Sequence, residues 1–358
     1  MKKILIINNG FPSKRNPKNA AYIKSIKGCL EDGGFIVTIL HLDVDLAYKS
    51  KVLGYVQFYL KLLFFRKYEA FDWIYLHHYT FYAPFVFVFF DKMNNIAVHW
   101  HGQEIYTKSR FIKVVKDWFY KKLDNREDIL HIVPSNFYAE ELKEIINFQK
   151  HPKLVVSPSG GVNISLFDEK NLAQKDKQKI NIGFASGITY MKGIDFIIKL
   201  CSLFPDFENK YNISLGFNCI FYGKDKLVYK SELEKCCGDR LVWWKAMAHV
   251  DMPTFYNSND VLIFPTRADS LGLVALEAMS CGTPVVGPNA FALKEFILEG
   301  VTGECYDKDN IHDKEIENFT RAFERCLSNL GKYNPRQFVV EKYSQKAVSE
   351  EYKRLFKG

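Results

Sequence analysis

Short apolar runs alternate with longer stretches of helical periodicity along most of this chain. Residues 4–8 form the first run, and residues 20–32 form an amphipathic segment that Gly33 and Gly34 end. Short apolar runs between helices are typical of strands buried on both faces of a parallel sheet. Further predicted strands cover residues 35–40, 73–77, 96–99, 130–133, 154–157, 180–185, 213–222, 241–244, 261–264 and 284–286. This order predicts an α/β protein built on doubly wound parallel sheets.

Helices are predicted in the intervals between these strands. Ser135 is a typical N-cap for a helix that ends near Glu144. Other predicted helices cover residues 193–203, 273–281 and 344–356, and the last of these is amphipathic. Because strands and helices alternate in this way, each sheet is expected to have helices on both faces.

A charged stretch, residues 168–179, interrupts this pattern before it restarts at residue 180. Nothing in the stretch can fill a hydrophobic core, so we predict a linker. The length of 358 residues fits two Rossmann-like domains, residues 1–167 and 180–335, facing a central cleft. Residues 336–358 are expected to pack back on the first domain. Ligands of such sheets bind at the carboxyl ends of the strands.

The formal net charge of +8 is concentrated in the first part of the chain. Residues 1–170 contain 24 Lys and Arg against 17 Asp and Glu, so they carry +7. Such a basic region can bind phosphates, an anionic membrane surface or nucleic acid, and solvated lysines on helix faces are the alternative. No cluster of basic residues forms a nucleic-acid-binding motif, so nucleic acid is not an expected partner.

The cysteines show no spacing that is typical of a metal site. Because no Cys-x-x-Cys pair occurs, we expect no zinc site. Met1 and two lysines lead directly into the first apolar run, so we expect no signal peptide. Free, mostly buried thiols in a reducing cytoplasm are the simplest interpretation. The eight cysteines are Cys29, Cys201, Cys219, Cys236, Cys237, Cys281, Cys305 and Cys326.

No apolar run reaches the roughly 18–20 residues that a membrane-spanning helix needs. Residues 81–90 are strongly apolar but short, and we interpret them as part of a core. Residues 51–67 are apolar and aromatic and end in two basic residues. They are candidates for contact with a membrane interface, with core packing as the alternative. This segment predicts peripheral association with an anionic membrane surface.

Residues 264–287 carry the most informative pattern in the chain. A predicted strand ends at Phe264, a loop contains Arg267 and Asp269, and a helix follows Gly272. Gly272 keeps side-chain bulk away from the helix start, so backbone N–H groups there can bind an anion such as a diphosphate. Asp269 and Glu277 supply carboxylates, which are good acceptors for paired sugar hydroxyls. Strand–loop–helix units with an acidic loop also occur in many α/β proteins, so spacing alone leaves the function open.

The run from Glu277 to Val286, Glu-Ala-Met-Ser-Cys-Gly-Thr-Pro-Val-Val, follows Asp269 at a distance of eight positions. This arrangement resembles the donor-binding signature of family 4 glycosyltransferases, a large retaining family with the GT-B fold. Lys192-Gly193 resembles the lysine–glycine element of that family. Other similar segments are residues 11–24, residues 100–104 with His101-Gly102, residues 157–167 and residues 343–352, so the resemblance covers nearly the whole chain.

The resemblance implies retaining transfer of a sugar from a UDP- or GDP-sugar to a hydroxyl acceptor, without a metal ion or other cofactor. Lys192 would neutralise the donor diphosphate, and His101 would contact the donor sugar. The acceptor would be a glycan, most readily a lipid-linked glycan of bacterial surface polysaccharide synthesis. No protein base is identified. Catalytic roles are expected for His101, Asp269 and Lys192, and donor binding for Lys192, Arg267, Ser270, Leu271, Gly272, Leu273 and Glu277.

Some residues depart from the family pattern. Asp269 stands where the family usually has Glu, and Gly187 stands where it often has a phosphate-binding Arg. Arg267 could supply the missing charge, or it could be a solvated loop arginine. These departures leave a non-catalytic sugar-nucleotide-binding or glycan-binding partner of another transferase as the alternative function. A nicotinamide dehydrogenase is excluded, because no Gly-x-Gly-x-x-Gly follows the first strand.

Four histidines fall at the ends of two predicted strands: His77, His78, His99 and His101. A histidine at a strand end often has a structural role. Metal binding is weakly supported, because neither a cysteine nor a clear set of carboxylates accompanies these residues. The family resemblance favours contact between His101 and the donor sugar.

Overall fold

A computed structural model describes residues 1–13, 15, 19–65, 67–78, 82, 85, 86, 89, 93–102, 114, 118, 129–144, 153–169 and 179–357. Its contacts divide the chain into two compact units. The first unit comprises residues 1–161 and 345–358, and the second comprises residues 162–344. In this described part of the chain, each unit contains one parallel six-stranded sheet with helices packed against it. The predicted α/β class is confirmed.

The strands and helices of the first unit match the predicted alternation. They are β1 (Lys3–Asn8), α1 (Ala21–Asp32), β2 (Ile36–His41), α2 (Val44–Lys49), α3 (Lys51–Phe64), β3 (Trp73–His77), β4 (Asn95–His99), β5 (Leu130–Val133), α4 (Asn136–Lys143) and β6 (Leu154–Val156). The sheet order is β2-β1-β3-β4-β5-β6, and every pair is parallel. The predicted cap of α4 is confirmed, since Ser135 Oγ accepts a hydrogen bond from the Tyr138 N–H.

Helix α1 packs on the sheet through one apolar face. Its Ile23, Ile26 and Leu30 are fully buried, as the helical spacing of three and four residues requires. The C-terminal helix of the chain (Gln345–Lys357) belongs to the same core. Its Tyr352 and Phe356 are buried there, and the ring of Phe356 lies 5.1 Å from that of Trp73. The amphipathic helix predicted near the end of the chain is therefore confirmed.

Helix α3 is apolar on two opposite faces. Gly54, Phe58 and Leu62 face the core of the first unit. Among the described residues, no helix is long and apolar enough to cross a membrane. Most of the apolar segment 81–90 lies outside the described residues. The outward face of α3 carries five side chains that are 47–72% exposed: Val52, Leu53, Val56, Leu60 and Phe64.

The second unit repeats the same architecture. Its elements are β7 (Lys179–Phe184), α5 (Ile194–Ser202), α6 (Phe204–Tyr211), β8 (Ser214–Phe221), α7 (Lys226–Cys237), β9 (Leu241–Lys245), α8 (Met252–Asn257), β10 (Val261–Ile263), α9 (Leu273–Ser280), β11 (Val285–Pro288), β12 (Gly303–Tyr306), α10 (His312–Ser328) and α11 (Pro335–Lys342). The C-terminal helix of the first unit, Gln345–Lys357, is α12. The strands are parallel in the order β12-β11-β10-β7-β8-β9.

The division between the units differs from the predicted domain bounds. Val162 and Phe167 are buried in the core of the second unit, whereas the prediction placed both in the first domain. Arg336 explains part of this, because its guanidinium donates to the Phe167 carbonyl at 2.8 Å and pairs with Asp168 at 2.6 Å. Helix α11 therefore also belongs to the second unit, and only the segment from Gln345 joins the first. Most of the predicted linker lies outside the described residues.

Candidate functional site

Two loops that carry predicted site residues lie side by side at one edge of the second sheet. One follows β7 and contains Lys192, and the other follows β10 and contains Asp269. Because β7 and β10 are neighbours in the sheet, the loops at their carboxyl ends are adjacent. Gly193 has a φ of +77°, and a Cβ there would overlap the carbonyl oxygen of Pro265. Glycine is therefore required where the two loops approach each other.

Lys192 and Asp269 form an ion pair between these loops. The Lys192 Nζ lies 2.8 Å from Asp269 Oδ2 and 3.3 Å from Thr266 Oγ1. The side chains are 32% and 20% exposed, so a ligand can reach both. Solvent screens a pair of this kind, and we expect it to contribute about 0–1 kcal/mol to stability. An anion that enters the site would therefore compete with Asp269 for the lysine at little cost to the fold.

The other carboxylate oxygen of Asp269 fixes the start of helix α9. Asp269 Oδ1 accepts hydrogen bonds from the Gly272 N–H at 2.6 Å and from the Leu271 N–H at 3.2 Å. Gly272 precedes the helix with a φ of +81°, which favours glycine. The amides of Leu273 and Val274 belong to the first turn, where a helix offers no acceptor of its own. Together with the helix dipole, they make the start of α9, next to the Lys192–Asp269 pair, electrostatically favourable for an anion.

Arg267 has a different environment from the one expected. Its Nη1 and Nη2 donate to the two carboxylate oxygens of Asp195 at 2.8 and 2.6 Å. Nη1 also donates to the carbonyl of Tyr190 at 2.6 Å, and the guanidinium lies 3.8 Å from the centre of the Tyr190 ring. Bidentate pairing satisfies the charge within the protein. Arg267 therefore ties the two loops together and is paired with Asp195, while its role in donor binding stays a prediction.

Glu277 is buried, and both of its carboxylate oxygens have partners. Oε1 lies 2.6 Å from His249 Nε2, and Oε2 accepts a hydrogen bond from the Tyr256 hydroxyl at 3.0 Å. Burial first, and then the charge of Glu277, raises the pKa of Tyr256 well above its usual range, so this hydroxyl stays protonated. Each carboxylate oxygen has a second lone pair that can accept from a ligand hydroxyl. His249 is half-exposed, and its ring lies 5.0 Å from that of Phe167.

The remaining donor-site residues of the prediction differ in accessibility. The side chain of Leu271 is buried in the core of the second unit, and its N–H already donates to Asp269. It can therefore shape the loop but offers no side chain to a ligand. Ser270 and Leu273 are partly exposed, one in the loop and one in the first turn of α9. His249 and Tyr256, the partners of Glu277, were not predicted. They lie in a separate segment of the chain and follow no sequence motif.

The four predicted strand-end histidines form a stacked group in the first unit, in which the ring of His78 lies 4.4 Å from that of His101. His77 and His99 end the neighbouring strands β3 and β4, and His101 follows shortly after. His77 Nδ1 lies 2.9 Å from His101 Nε2, and the rings of His99 and His101 stack at 4.3 Å. His99 Nδ1 lies 2.7 Å from the Tyr75 hydroxyl, and His99 Nε2 lies 3.2 Å from Ser159 Oγ. The group is thus tied to the carboxyl edge of the first sheet.

Burial keeps this histidine group neutral. Desolvation, and then the neighbouring histidines, lowers the pKa of His77 and His101 well below the usual range. The same causes lower the pKa of His99 to about 3. Near neutral pH, His101 is therefore a hydrogen-bonding group and not a cation. The Nε2 atom of His77 has no hydrogen-bond partner among the described residues.

Two groups of side chains in the described part of the chain have the ligand types and spacing of metal sites. In each group the candidate ligand atoms lie within 4.8 Å of one another. No zinc site was expected from the sequence, because the chain contains no Cys-x-x-Cys pair. The cysteine group forms without such a pair. Cys201 comes from α5 and the other two cysteines end α7, so spacing along the chain could not reveal the group. The groups are His77, His99 and His101, and Cys201, Cys236 and Cys237.

Residues 167–332 match the family model of glycosyl transferases group 1. A protein of the cps region of Klebsiella pneumoniae, itself uncharacterised, is 26% identical over 305 residues, which are 82% of this chain and 80% of that protein. A capsular polysaccharide biosynthesis glycosyltransferase of Staphylococcus aureus is 26% identical over 267 residues, covering 68% of this chain and 67% of that protein. An uncharacterised glycosyltransferase of Methanocaldococcus jannaschii is 27% identical, and the match covers 66% of this chain and 61% of that protein.

Solved structures share the whole fold at low sequence identity. A sucrose-phosphate synthase from Thermosynechococcus elongatus has a TM-score of 0.75 and 15% identity, with coverage of 100% of this chain and 98% of that chain. A glycosyltransferase from Rickettsia africae has a TM-score of 0.73 and 16% identity, with coverage of 99% and 98%. An Anabaena protein solved with UDP has a TM-score of 0.70 and 14% identity, with full coverage of both chains.

These likenesses assign the GT-B fold, which the sequence predicted. The matched domain and the relatives that are named glycosyltransferases support transferase activity for this chain. The matched region includes every residue of the Lys192–Asp269–Glu277 site. The geometry described above therefore lies in the part of the chain that carries the family likeness.

Proposed function

We propose that this chain is a retaining glycosyltransferase that takes its sugar from a nucleotide-sugar donor bound in the second unit. The observation that carries the proposal is the grouping of Lys192, Asp269 and the start of α9 within hydrogen-bonding distance. Glu277 lies on the second turn of the same helix. A cation with first-turn amides suits a diphosphate, and a carboxylate suits a ribose diol. The structures of the Anabaena neighbour with UDP and with UDP-glucose add support.

In the proposed complex, the donor diphosphate replaces Asp269 as the partner of Lys192. The N–H groups of Leu273 and Val274 donate to the phosphate oxygens. Asp269 keeps the Gly272 N–H and turns its free oxygen toward a hydroxyl of the sugar. Glu277 accepts from the two ribose hydroxyls while His249 and Tyr256 hold its carboxylate in place.

The proposed reaction breaks the bond between the anomeric carbon and the diphosphate oxygen. A bond forms between the anomeric carbon and the acceptor oxygen, and a leaving phosphate oxygen takes the acceptor proton. The transition state has oxocarbenium character, and negative charge grows on the diphosphate. Lys192 and the amides of α9 stabilise that charge from fixed positions. These groups fill the role that a metal ion would otherwise have, so we propose that transfer needs no metal ion and no other cofactor.

His101 is proposed to contact the donor sugar, and this role rests on the family resemblance. Its neutral ring suits a hydrogen bond to a sugar hydroxyl, because burial and the adjacent histidines disfavour the protonated form and lower its pKa. His77 Nδ1 lies 2.9 Å from His101 Nε2, and this contact helps to fix the orientation of the His101 ring. We therefore propose a positioning role for His77.

The donor proposal is tested with a panel of UDP- and GDP-sugars. We expect the sugars of one nucleotide to raise the melting temperature and to be hydrolysed slowly or transferred to a prenyl-diphosphate-linked glycan. A chelating agent should leave the turnover per folded molecule unchanged. If no sugar nucleotide raises the melting temperature or is consumed, with or without that acceptor, the proposal is wrong. Binding without turnover would favour a non-catalytic partner of another transferase.

The acceptor is proposed to be a lipid-linked glycan at the cytoplasmic face of the membrane. The relatives from the Klebsiella cps region and from Staphylococcus capsule synthesis support a surface polysaccharide. In the first unit, the outward face of α3 presents five exposed apolar side chains. Four of them lie between Lys51 and Lys61 in the sequence, and the fifth is Phe64. Apolar side chains beside lysines suit an interface with anionic lipids. Residues 1–170, which include α3, carry +7 of the formal net charge of +8.

Vesicle binding tests this surface. The native chain should bind vesicles that contain anionic phospholipid at low salt and should be released at high salt. The double variant Val56→Asp and Leu60→Asp should bind at least about tenfold more weakly, because each aspartate removes apolar area and repels the lipid. Val228→Asp, at a side chain that is 74% exposed in the second unit, is the matched control and should bind like the native chain. Absence of native binding, or equal loss in the control, would contradict the proposal.

A further inference from the structure

Three cysteines meet between two helices of the second unit, away from the loops that carry Lys192 and Asp269. Cys201 lies next to the C-terminal end of α5, and Cys236 and Cys237 are the last two residues of α7. The two helices pack against each other. The three Sγ atoms lie within 4.8 Å of one another, and the Sγ atoms of Cys236 and Cys237 are 3.7 Å apart.

We propose that Cys201, Cys236 and Cys237 bind one thiophilic metal ion, with Zn²⁺ as the ion that fits their geometry. Zinc–thiolate bonds of about 2.3 Å in a tetrahedral site place neighbouring sulfur atoms about 3.8 Å apart. The observed distance of 3.7 Å between Cys236 and Cys237 already has this value. Cys201 reaches the same arrangement by a shift of its Sγ of about 1 Å or less, which a side-chain rotation allows. The site supplies three protein ligands and leaves one position open.

The surroundings of the three sulfur atoms suit a metal ion that enters from solvent. Cys201 and Cys237 are fully buried, and Cys236 is partly exposed, so an ion can reach the group past Cys236. Metal coordination requires the thiolate form of each cysteine, so binding of the ion would release the thiol protons. Metal binding and thiol deprotonation are linked in this way in other proteins.

The net charge of the complex depends on the metal ion. Three thiolates and a divalent cation leave a net charge of −1. Among soft metal ions, a divalent d¹⁰ ion such as Zn²⁺ leaves less uncompensated charge with three thiolates than a monovalent ion does.

The bound ion would also have a structural consequence. Helix α5 begins at Ile194, directly after Lys192 and Gly193, and its other end carries Cys201. A metal that joins Cys201 to the end of α7 would hold α5 at its C-terminal end. The inference does not rest on the proposed transferase activity, because it depends only on the three sulfur atoms.

Cobalt titration of the reduced, metal-free full-length chain tests the site. Co²⁺ should bind with one equivalent and give a thiolate-to-cobalt charge-transfer band, which imidazole ligands cannot produce, and Zn²⁺ should remove the band. Zn²⁺ should also raise the melting temperature. Both effects should be lost in Cys236→Ser, whose side chain is partly exposed. They should be kept in Cys305→Ser, whose Sγ donates to the Ile297 carbonyl at 3.1 Å and does not belong to the cysteine group.

Two outcomes would overturn the proposal. One is the absence of a charge-transfer band at one equivalent of Co²⁺ in the native chain. The other is a band of equal intensity in Cys236→Ser, which would assign the cobalt to other thiols. The melting temperature of metal-free Cys236→Ser is measured first and should equal that of the metal-free native chain, so that loss of the fold is not mistaken for loss of the site.

Discussion

Replacement of Lys192 by methionine is expected to lower the rate of sugar transfer about 10²–10³-fold, the cost of removing one group that stabilises a developing negative charge. Methionine keeps the length and apolar stem of lysine but lacks its charge. Charge on the diphosphate is greatest in the transition state, so most of the loss should appear in kcat. The fold should persist, because the partly exposed pair with Asp269 contributes little stability. Steady-state kinetics with the donor identified in the sugar-nucleotide panel measures the effect.

Lys199→Met is the matched control for this variant. Lys199 lies on α5, the helix that begins two residues after Lys192, and its side chain is exposed. Its kcat and KM should stay close to the native values. If Lys192→Met retained native kcat with only KM raised, the lysine would bind the donor equally in ground and transition states. Native kinetics in both variants would contradict its assignment to the diphosphate.

Replacement of Glu277 by glutamine is expected to raise the Kd for the nucleotide sugar about 10–100-fold. Glutamine has nearly the same size but only one acceptor oxygen, so it cannot hold Tyr256 and His249 and also accept from two ribose hydroxyls. Charge-assisted hydrogen bonds contribute roughly 1.5–3 kcal/mol each, which gives this range for the loss of one bond. Isothermal titration calorimetry with the free nucleoside diphosphate and with the full donor measures the change.

The variant Tyr256→Phe distinguishes the effect of the Glu277 carboxylate from the effect of the hydroxyl that holds it in place. This variant keeps the charge of Glu277 and removes only one donor, so we expect a smaller rise in Kd than for Glu277→Gln. An equal rise in both variants would mean that the position of the carboxylate matters more than its acceptors. Unchanged affinity in Glu277→Gln would contradict ribose binding by this residue.

Local patterns in the sequence were enough to predict most of the fold. Residues 73–77 and 130–133 were predicted as strands with the bounds that the structure has, because buried parallel strands read as short apolar runs. The strand β12, Gly303–Tyr306, was missed. It is short and contains a glycine and a glutamate, so it gives no apolar run. Its register beside β11 supplies the hydrogen bonds that define it.

The candidate site was predictable only as far as its motif extends. Lys192 was named from the family resemblance, and Asp269 and Glu277 were named from the strand–loop–helix pattern together with that resemblance. The structure brings Lys192 and Asp269 together as an ion pair. The pairing of Arg267 with Asp195 was not predictable, because it joins the loop after β10 to the first turn of α5, which is distant in sequence. The cysteine group has the same origin, since packing of two helices decides which thiols meet. Contacts of this kind depend on tertiary structure and leave no periodic signal along the chain.

The central claim is that the second unit binds a nucleotide sugar and cleaves it with retention of the anomeric configuration. Nuclear magnetic resonance of the reaction, started with the sugar nucleotide that stabilises the chain, tests this claim most directly. We expect a nucleoside diphosphate to appear together with a product whose new glycosidic bond has the anomeric configuration of the donor, and Lys192→Met to slow both together. A product of inverted configuration would contradict the retaining mechanism, and the absence of any released nucleoside diphosphate would contradict the transferase assignment itself.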